Sequence, residues 1–488
     1  MFSRTVAWRV FAPSFAIPQA AQFALAAFAV LMWPSALLND PDTLWHIRTG
    51  EWMIDHRRVL DFDPFSHTRA GAPWNTHEWL TEVLMAAIYR VGGWSGLMVA
   101  TAAAAAACVY ILVEFAGRSL RGLPILLALT LGLSLVSPHY LARPHLFALP
   151  LLAVWTVALV TARNENRAPP LLLLPVMALW ANMHGSFFLG ICLIGPFALE
   201  ALVEAAPEDR RKTFFDWGGF GVGAALAALA TPHGLGGLIF PVKLIMMPGI
   251  TGIMEWAPAD FSAPAPLEIS LLATMFLLFR FGVAVPVFRL LLLLGLLHLT
   301  LAHQRYEIIL GVIGVILLAE PAAAALATRA ARSETSRPET SRPGRASPLF
   351  LGVAAIAAAL SVCLRFAIPA PEAGARHMPV TALAAVPDEI AALPVLNDYG
   401  AGGYLIWNGV RPFIDGRADM YGPEFLRSYF AIMNSGGADL DAALSEYDIR
   451  WTLLRNGSAA AGAMNRTPGW TRLFADDEFI VHVRSDSL

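Results

Sequence analysis

Long apolar runs recur through the first three quarters of this chain and constrain its fold more than any other feature. About 20 apolar residues form a helix that crosses the ~30 Å hydrocarbon layer of a bilayer. Hydrophobic residues make up 57% of the 488 residues and charged residues 15%, whereas a soluble domain carries about 25% charged residues. These features predict an all-α polytopic membrane bundle of about eleven transmembrane helices in residues 1–369.

The predicted spans cover residues 17–38, 94–116, 122–138, 145–162, 169–182, 186–204, 217–231, 267–280, 289–302, 306–327 and 348–369. A long outer loop, residues 39–93, follows the first span. Arginine occurs in every turn on one side of this arrangement, beginning with Arg4 and Arg9. Because basic residues collect on the cytoplasmic side, we expect a multi-pass membrane protein with a cytoplasmic N-terminus.

Residues 370–488 change character and predict a small α/β domain on the extracytoplasmic side. Strand-length apolar runs lie at 394–397, 403–407, 412–414, 451–454 and 479–483, with helical patterns near 382–392, 423–433 and 438–446. The last two strands are expected to form a hairpin around 476–478. Glycines in 397–403 favour tight turns. Asp415, Arg417 and Asp419 either pair with one another structurally or contact an acceptor.

Charge and cysteine content argue against a nucleic-acid-binding protein and against a fold held by disulfides or zinc. The net charge of −3 gives no sign of a nucleic-acid partner. The three cysteines, Cys108, Cys192 and Cys363, all lie in apolar runs, and we interpret them as small core residues. They form neither a disulfide framework nor a zinc pattern.

Polar residues gather at the predicted outer ends of the spans. Ionisable groups at membrane depth cost about 2.5–3.5 kcal/mol each on insertion scales and usually face a cavity or one another. For any single residue, interfacial capping explains the position equally well, but a set drawn from six loops indicates one shared polar cavity. The set comprises Asp40, Asp42, Glu78, Arg143, His145, Asn182, His184, Glu255, Arg305 and Glu307.

Asp40 and Asp42 directly follow the first span, with Pro41 fixing the backbone between them. Two carboxylates at this spacing can bind a cation or raise one another's pKa, and a raised pKa suits a general base that acts on a hydroxyl. An isolated Asp-x-Asp is more often a turn, but its position at the outer end of a span makes this one more specific. Trp45, Trp52, Trp74 and Trp79 of the same loop predict a segment at the membrane interface.

At this point the chain resembles the GT-C superfamily of membrane glycosyltransferases, which includes protein mannosyltransferases, aminoarabinose transferases and oligosaccharyltransferases. The resemblance lies in the acids after the first span, the long amphipathic first outer loop, the number of spans and the outer C-terminal domain. The chain also looks like a group of bacterial GT-C-like membrane proteins over nearly its whole length. The stretches that carry this second likeness are DPDTLWHIRTGEW, DPFSHT, WNTHEWL, RPHLF, NMHGSF, TPHGLGG, GGYLIW and FIDGRADMYG.

The resemblance implies an inverting glycosyltransferase of the bacterial inner membrane that takes a sugar from a polyprenyl-phosphate carrier. Asp42 matches the acidic residue that orients or deprotonates the acceptor best, with Asp40 as second choice. The leaving phosphate would meet Arg143, His145, His184 and Arg305, and the expected substrate-binding set also contains His77, Glu78 and Asn182. Some members use a divalent cation such as Mg or Mn, for which Asp40, Asp42 and His46 are candidate ligands without a recognised metal signature.

The first loop lacks the flanking residues of the mannosyl- and aminoarabinose-type enzymes, which leaves the donor sugar and the glycan, lipid or protein acceptor open. Two other functions compete with transfer. A transporter or flippase of a lipid-linked or anionic solute predicts midplane polar residues, broken helices and an internal repeat, but no clear repeat occurs and the polar groups crowd one face. A non-catalytic assembly protein for envelope polysaccharide would not need paired acids beside histidines and arginines.

Overall fold

The computed structural model describes residues 17–332, 348–370 and 378–487, so Arg4 and Arg9 lie outside the described residues. In the described part up to residue 367, the helices are α1 (Ile17–Leu31), α2 (Asp42–His56), α3 (Trp79–Ala116), α4 (Leu123–Val136), α5 (Pro144–Asn164), α6 (Leu174–Met183), α7 (Phe187–Glu204), α8 (Arg210–Ala228), α9 (Gly234–Ile245), α10 (Pro266–Phe281), α11 (Val287–Ala302), α12 (Glu307–Arg332) and α13 (Pro348–Ala367). Each of the eleven predicted spans overlaps one of them.

By length and composition, five helices of the described residues are able to cross a membrane: Trp79–Ala116, Pro144–Asn164, Phe187–Glu204, Gln304–Arg332 and Pro348–Ala367. The shorter apolar helices, of 10–17 residues, are Gln19–Leu31, Leu123–His139, Leu171–Met183, Gly234–Ile245 and Val287–Ala302. These helices are those of a membrane protein, while the count of eleven spans stays a prediction. Helix α9 was not expected, because its three glycines lower helix propensity by about 1 kcal/mol each.

The segment 39–93 is folded, which corrects its description as a loop. It contains α2, an isolated bridge between Phe62 and Pro73, and the first turns of α3. Gly93 has a positive φ of 56° and interrupts the helical geometry of α3, so the part that follows begins where the sequence predicted the second span. Helix α2 packs against α3 and against the C-terminal residues, and this packing positions the acids at its start.

Helix α12 is central to the bundle, because it packs against α3, α4, α5, α10 and α11. The largest cluster of buried apolar side chains lies among these helices. Helix α12 begins at Glu307, beside the turn that contains His139, and the side chains of these two residues are 3.4 Å apart. We call the end of the bundle at which α12 begins the site end, and the end at which α12 finishes, at Arg332, the arginine end.

The C-terminal residues form a four-stranded sheet with helices around it. The strands are β1 (Val395–Asn397), β2 (Trp451–Arg455), β3 (Trp470–Ala475) and β4 (Phe479–Arg484), in the order β1-β2-β4-β3. Strands β1 and β2 are parallel, and the other two pairings are antiparallel. The helices are α14 (Val380–Ala384), α15 (Asp388–Ala391), α16 (Gly402–Trp407), α17 (Ala418–Ser435), α18 (Ala438–Glu446) and α19 (Ala459–Met464).

Three of the five predicted strands and the hairpin around 476–478 are confirmed, but two strands are wrong. Residues 403–407 lie in α16, and 412–414 form no strand. A short apolar run cannot be assigned to strand or helix by periodicity alone. The predicted glycine turn is also wrong in part, because Gly402 and Gly403 begin α16 and pack closely against other segments.

Two further expectations from composition are wrong. Trp45 and Trp74 are buried and pack edge-to-face with ring centroids 6.0 Å apart. They therefore belong to a core within segment 39–93 and not to an interfacial belt. Of the cysteines only Cys108 is buried, whereas Cys192 and Cys363 are exposed on apolar helices. A membrane helix presents apolar residues to lipid as well as to the core, and hydrophobicity therefore does not predict burial here.

Candidate active site

Arg143 is the centre of a cluster of three carboxylates at the site end. Its guanidinium lies 2.8 Å from Asp42, 3.3 Å from Asp40 and 3.1 Å from Glu255. The side chains of these acids are 10–31% exposed, so the cluster is largely withdrawn from water but not closed. The acids after the first span and a basic residue from a later helix therefore converge, as the sequence predicted.

The start of helix α2 fixes the two aspartates. Helix α1 ends at Leu31 and a short 3-10 helix, Ser35–Leu38, intervenes, so the acids are not held by the end of the first span. The Asp40 carboxylate accepts the backbone N–H of Asp42 at 2.8 Å, and Trp45 donates its indole N–H to Asp42 at 2.9 Å. Acidic side chains at a helix N-terminus are stabilised by the helix dipole, which accounts for the local arrangement.

Glu255 joins two arginines. One of its oxygens accepts from Arg143 at 3.1 Å and the other accepts from Arg305 at 3.4 Å. The Arg305 guanidinium also lies 4.1 Å from the ring centroid of Trp256, and His303 lies 2.7 Å from the carbonyl of the same tryptophan. These contacts hold the Arg305 side chain beside the cavity described next.

A cavity of about 290 Å³ opens between α5, α7, α9, α11 and the start of α12. Its polar lining consists mainly of histidines, two acids and one arginine: His77, Glu78, His139, His145, His184, Ser186, Glu255 and Arg305. The rest of the wall is apolar and includes Leu149, Leu189, Leu244 and Ile309. Such a cavity fits a molecule with a charged end and a hydrocarbon end.

Glu78 collects three histidines. His184 lies 3.2 Å from its carboxylate, His77 lies 3.5 Å away and His46 lies 3.8 Å away. The Nδ1 atom of His184 accepts the backbone N–H of Ser186 at 3.1 Å, so a neutral His184 carries its proton on Nε2. That atom then faces Glu78 as a donor.

The remaining predicted residues lie at different distances from the cavity. His145 lines it with its ring centroid 6.3 Å from that of His184, and its Nε2 lies 2.8 Å from the carbonyl of His139. Asn182 does not line it: this side chain accepts from Trp79 and donates to the carbonyls of Ala178 and Ala230, so it ties helices together. Asp40, Asp42 and Arg143 are also absent from the wall, and only Glu255 connects them to it.

Burial and charge divide the titratable groups. Burial raises the pKa of Asp42 to about 7, although Arg143 opposes the rise. Burial alone would raise the pKa of Glu255, but Arg143 and Arg305 lower it to about 2. Burial likewise opposes ionisation of Glu78, and its histidine neighbours outweigh this and lower its pKa. At neutral pH the cavity acids are therefore ionised, while Asp42 titrates near neutrality.

Burial and neighbouring charge also give the histidines different pKa values. Burial lowers the pKa of His46 to about 3 and that of His184 to about 4, so both are neutral at pH 7. Burial also opposes protonation of His77, but the Glu78 carboxylate outweighs it and raises the pKa. Arg305 is therefore a positive charge on the wall of the cavity, and Glu78 favours the protonated form of His77 beside it.

The C-terminal residues press directly against the acids. A Cβ atom on Gly416 would overlap the Asp42 carboxylate, and one on Gly403 would overlap the backbone carbonyl of Pro41. Only glycine permits these approaches. The sequence signalled both positions as glycine-rich but did not predict what lies against them.

Arg417 stabilises the contact between the C-terminal residues and segment 39–93. It lies 2.7 Å from Asp63 and 2.6 Å from Asp415, and Tyr421 donates its hydroxyl to Asp415 at 2.7 Å. Asp419 accepts from the indole of Trp74 at 3.2 Å. Of the two roles left open by the sequence, structural pairing is therefore observed for Asp415 and Arg417, whereas Asp419 bonds to Trp74 instead.

The candidate metal ligands do not come together. His46 lies 3.0 Å from Glu82 and turns away from Asp40 and Asp42, whose carboxylates already pair with Arg143. Among the described residues, no group of three or more His, Cys, Asp or Glu side chains has an arrangement that could hold a metal ion. These residues as placed do not fit a divalent cation, and we derive no step through one.

The fold and this site together define a polytopic membrane protein with a charged cavity at one end of its bundle. The chain is similar to the crystal structure of the Archaeoglobus fulgidus oligosaccharyltransferase in complex with zinc and sulfate, at 10% identity over 96% of this chain and 73% of that one, with a TM-score of 0.40. No family model and no curated protein matches the sequence.

Proposed function

We propose that this chain is a GT-C-type membrane glycosyltransferase that moves a sugar from a polyprenyl-phosphate-linked donor to a glycan, lipid or protein acceptor. One observation carries the proposal: the wall of the cavity combines arginine and histidine side chains with leucine and isoleucine side chains. A lipid phosphate has the matching composition, an anionic head on an apolar chain. The bacterial inner membrane and its outer face remain the expected location.

Arg305 and His77 are proposed to hold the phosphate. Arginine suits this task because its planar guanidinium binds phosphate oxygens through two parallel hydrogen bonds. Charge that develops on the leaving phosphate in the transition state would be stabilised by donors already fixed in place. His184 contributes no spare donor here, because its Nε2–H faces Glu78 and its other nitrogen is engaged by Ser186.

Asp42 is proposed as the general base, with Asp40 and Arg143 as its positioning residues. An ionised carboxylate has about four lone-pair sites, so Trp45 and Arg143 leave room for an acceptor hydroxyl. The proton of that hydroxyl passes to Asp42 as its oxygen bonds to the anomeric carbon, and the bond from that carbon to the phosphate oxygen breaks. Glu255 separates Arg143 from Arg305, which suits attack and departure on opposite faces of the sugar.

The proposal is tested with two lipids that differ only in the head group. Purified chain is titrated with polyprenyl phosphate and with the corresponding polyprenol, and binding is measured directly. We expect at least tenfold tighter binding of the phosphate, because charge-assisted hydrogen bonds contribute about 1.5–3 kcal/mol. Arg305→Gln should remove most of this preference.

Arg466→Gln is the matched control, since Arg466 is an exposed arginine of the C-terminal residues and should leave the preference unchanged. Equal affinity for the two lipids in the unaltered protein would contradict the proposal. A second arm follows release of polyprenyl phosphate from a sugar-loaded carrier, with membrane extract as the acceptor source. Binding without release in any acceptor condition would argue for a carrier protein.

A further inference from the structure

A second cavity, about 660 Å³ in volume, lies between α4, α10, α11 and α12. Its lining is apolar except for Ser270 and Thr274, and Ser270 is already hydrogen-bonded to Ser134 at 2.6 Å. The wall on α12 extends from Leu310 to Leu326, a length of about 24 Å at 1.5 Å per residue. The groove is therefore long enough and apolar enough to accept a hydrocarbon chain.

Arg280 and Arg329 lie at the end of the groove that is away from the candidate active site, and Arg121 is next to groove residues in the sequence. Phe281 lines the groove, and the guanidinium groups of Arg329 and Arg280 lie 5.4 and 5.6 Å from the centroid of its ring. Arg121 stands between Leu120 and Leu123, which both line the groove as well. All three arginines are exposed.

In the described part of the chain, these arginines have no acidic counterpart close by. Arg329 donates to the backbone carbonyl of Arg280 at 3.3 Å. Within residues 17–332, 348–370 and 378–487, no carboxylate lies within ion-pair distance of Arg121, Arg280 or Arg329. By contrast, Arg289 at the same end is buried and paired with Glu200. The mouth of the groove is thus a positive surface next to an apolar slot.

We propose that this groove binds an acyl chain of an anionic glycerophospholipid, whose phosphate is held by Arg280, Arg329 and Arg121. The hydrocarbon chain would fill the slot along α12, and the head group would stay at the arginine end of the bundle. Basic pockets between membrane helices bind anionic head groups in this way. The site is separate from the proposed transferase cavity and does not depend on that function.

A general preference for basic residues on the cytoplasmic side also places arginines at one end of a membrane protein. That preference requires neither an apolar slot beside them nor the contact of two guanidinium groups with an aromatic ring that lines the slot. The two explanations differ in a measurable way. A lipid site retains a specific lipid through purification, and a topogenic charge does not.

Native mass spectrometry of the full chain tests the proposal with dioleoyl phosphatidylglycerol and dioleoyl phosphatidylcholine as probes. The acyl chains are identical, so only the head-group charge differs. We expect phosphatidylglycerol to be retained at least about fivefold better. Arg280→Gln combined with Arg329→Gln should remove most of this preference, so that phosphatidylglycerol is retained about as well as phosphatidylcholine, with no change for phosphatidylcholine.

A second variant fills the slot. Gly314 lines the groove and a Cβ there would meet no atom within 4 Å, so Gly314→Phe should block the acyl chain and abolish retention of both lipids. Gly295→Phe is the control, because Gly295 also has open space but does not line the groove. Equal retention of the two lipids, or unchanged retention in both the arginine and the Gly314 variants, would overturn the proposal. So would displacement of phosphatidylglycerol by an uncharged polyprenol.

Discussion

Two arginine clusters at the boundary between the bundle and the C-terminal residues use the same chemistry with different access. Arg417 is completely buried, as are Asp63 and Asp415 beside it. The side chain of Arg143 is 19% exposed, and those of its three acids reach 31%. The closed cluster has every charge satisfied from within, whereas the open one keeps partial access to solvent and leads through Glu255 to a cavity.

The difference teaches which ion pairs hold the molecule together and which are available for chemistry. A buried arginine that loses its acids, or acids that lose their arginine, leaves an uncompensated charge in a poorly solvated place. The partly open cluster can relax by taking up a proton or water. We therefore expect Arg417 to govern stability and the Arg143 cluster to govern activity, with little overlap between the two effects.

The largest expected effect is loss of the folded C-terminal arrangement in Arg417→Gln. Breaking a buried pair from one side costs about 3–5 kcal/mol, and Asp63 and Asp415 would both lose their cation. Arg143→Gln should cost clearly less, because Glu255 keeps Arg305 and Asp42 can protonate near pH 7. Thermal unfolding of the two purified variants, followed by tryptophan fluorescence, measures the comparison. Equal losses of stability would show that the clusters do not differ as proposed.

The next effect concerns transfer. Asp42→Asn keeps the shape of the side chain but removes its basic form, so the rate should fall by about 10²–10⁴-fold. Folding should be retained, since Asp42 is already close to neutral in the buried site. The measurement is sugar release from a polyprenyl-linked donor together with the unfolding midpoint.

Asp441→Asn, at an exposed position of α18, is the control for this substitution and should behave as the unaltered protein does. Asp40→Asn should reduce the rate less, because Asp40 orients the backbone of Asp42 and shares Arg143. Full activity in both Asp42→Asn and Asp40→Asn would exclude this site from the reaction.

The pH dependence of transfer gives a smaller but more specific effect. Asp42 is the base only when ionised, and because its pKa is raised to about 7, the rate should rise as pH increases through about 7. Arg143 lowers this pKa, so Arg143→Gln should move the rising limb to higher pH. Rates between pH 5.5 and 9 check this in unaltered protein and variant. A limb at the same pH in both proteins would mean that another group titrates.

The sequence predicted the positions of the helices far better than the contacts between them. The long apolar runs located each of the eleven predicted spans on a helix, since such a run must satisfy its own backbone within a membrane. The convergence of Asp42 with Arg143 also followed from the order of the helix ends. Glu255 was grouped with the outer polar residues but received no role, because only the three-dimensional structure shows that it joins Arg143 to Arg305.

Other features were beyond the sequence for a physical reason. Segment 39–93 combines charge with tryptophan, a composition typical of a surface, and yet Trp45 and Trp74 are buried because the C-terminal residues cover them. A partner segment more than 300 positions away in the chain leaves no local pattern. The same holds for Gly403, which was predicted as a turn residue, and for Gly416, which received no role, although both are required for close packing against Pro41 and the start of α2.

The smallest effect tests the contact between the two clusters. Gly416 lies between Asp415 of the closed cluster and the Asp42 carboxylate of the open one, and a Cβ there would overlap that carboxylate. Gly416→Ala should therefore displace Asp42 and reduce the transfer rate by roughly tenfold, a loss in keeping with the sensitivity of reaction rates to misplacement of about 1 Å. Gly462→Ala is the control, since Gly462 lies in α19 with no atom within 4 Å of the added carbon. If Gly416→Ala lowers only stability and leaves the rate per folded molecule unchanged, the carboxylate is not positioned by this contact and the two clusters work independently.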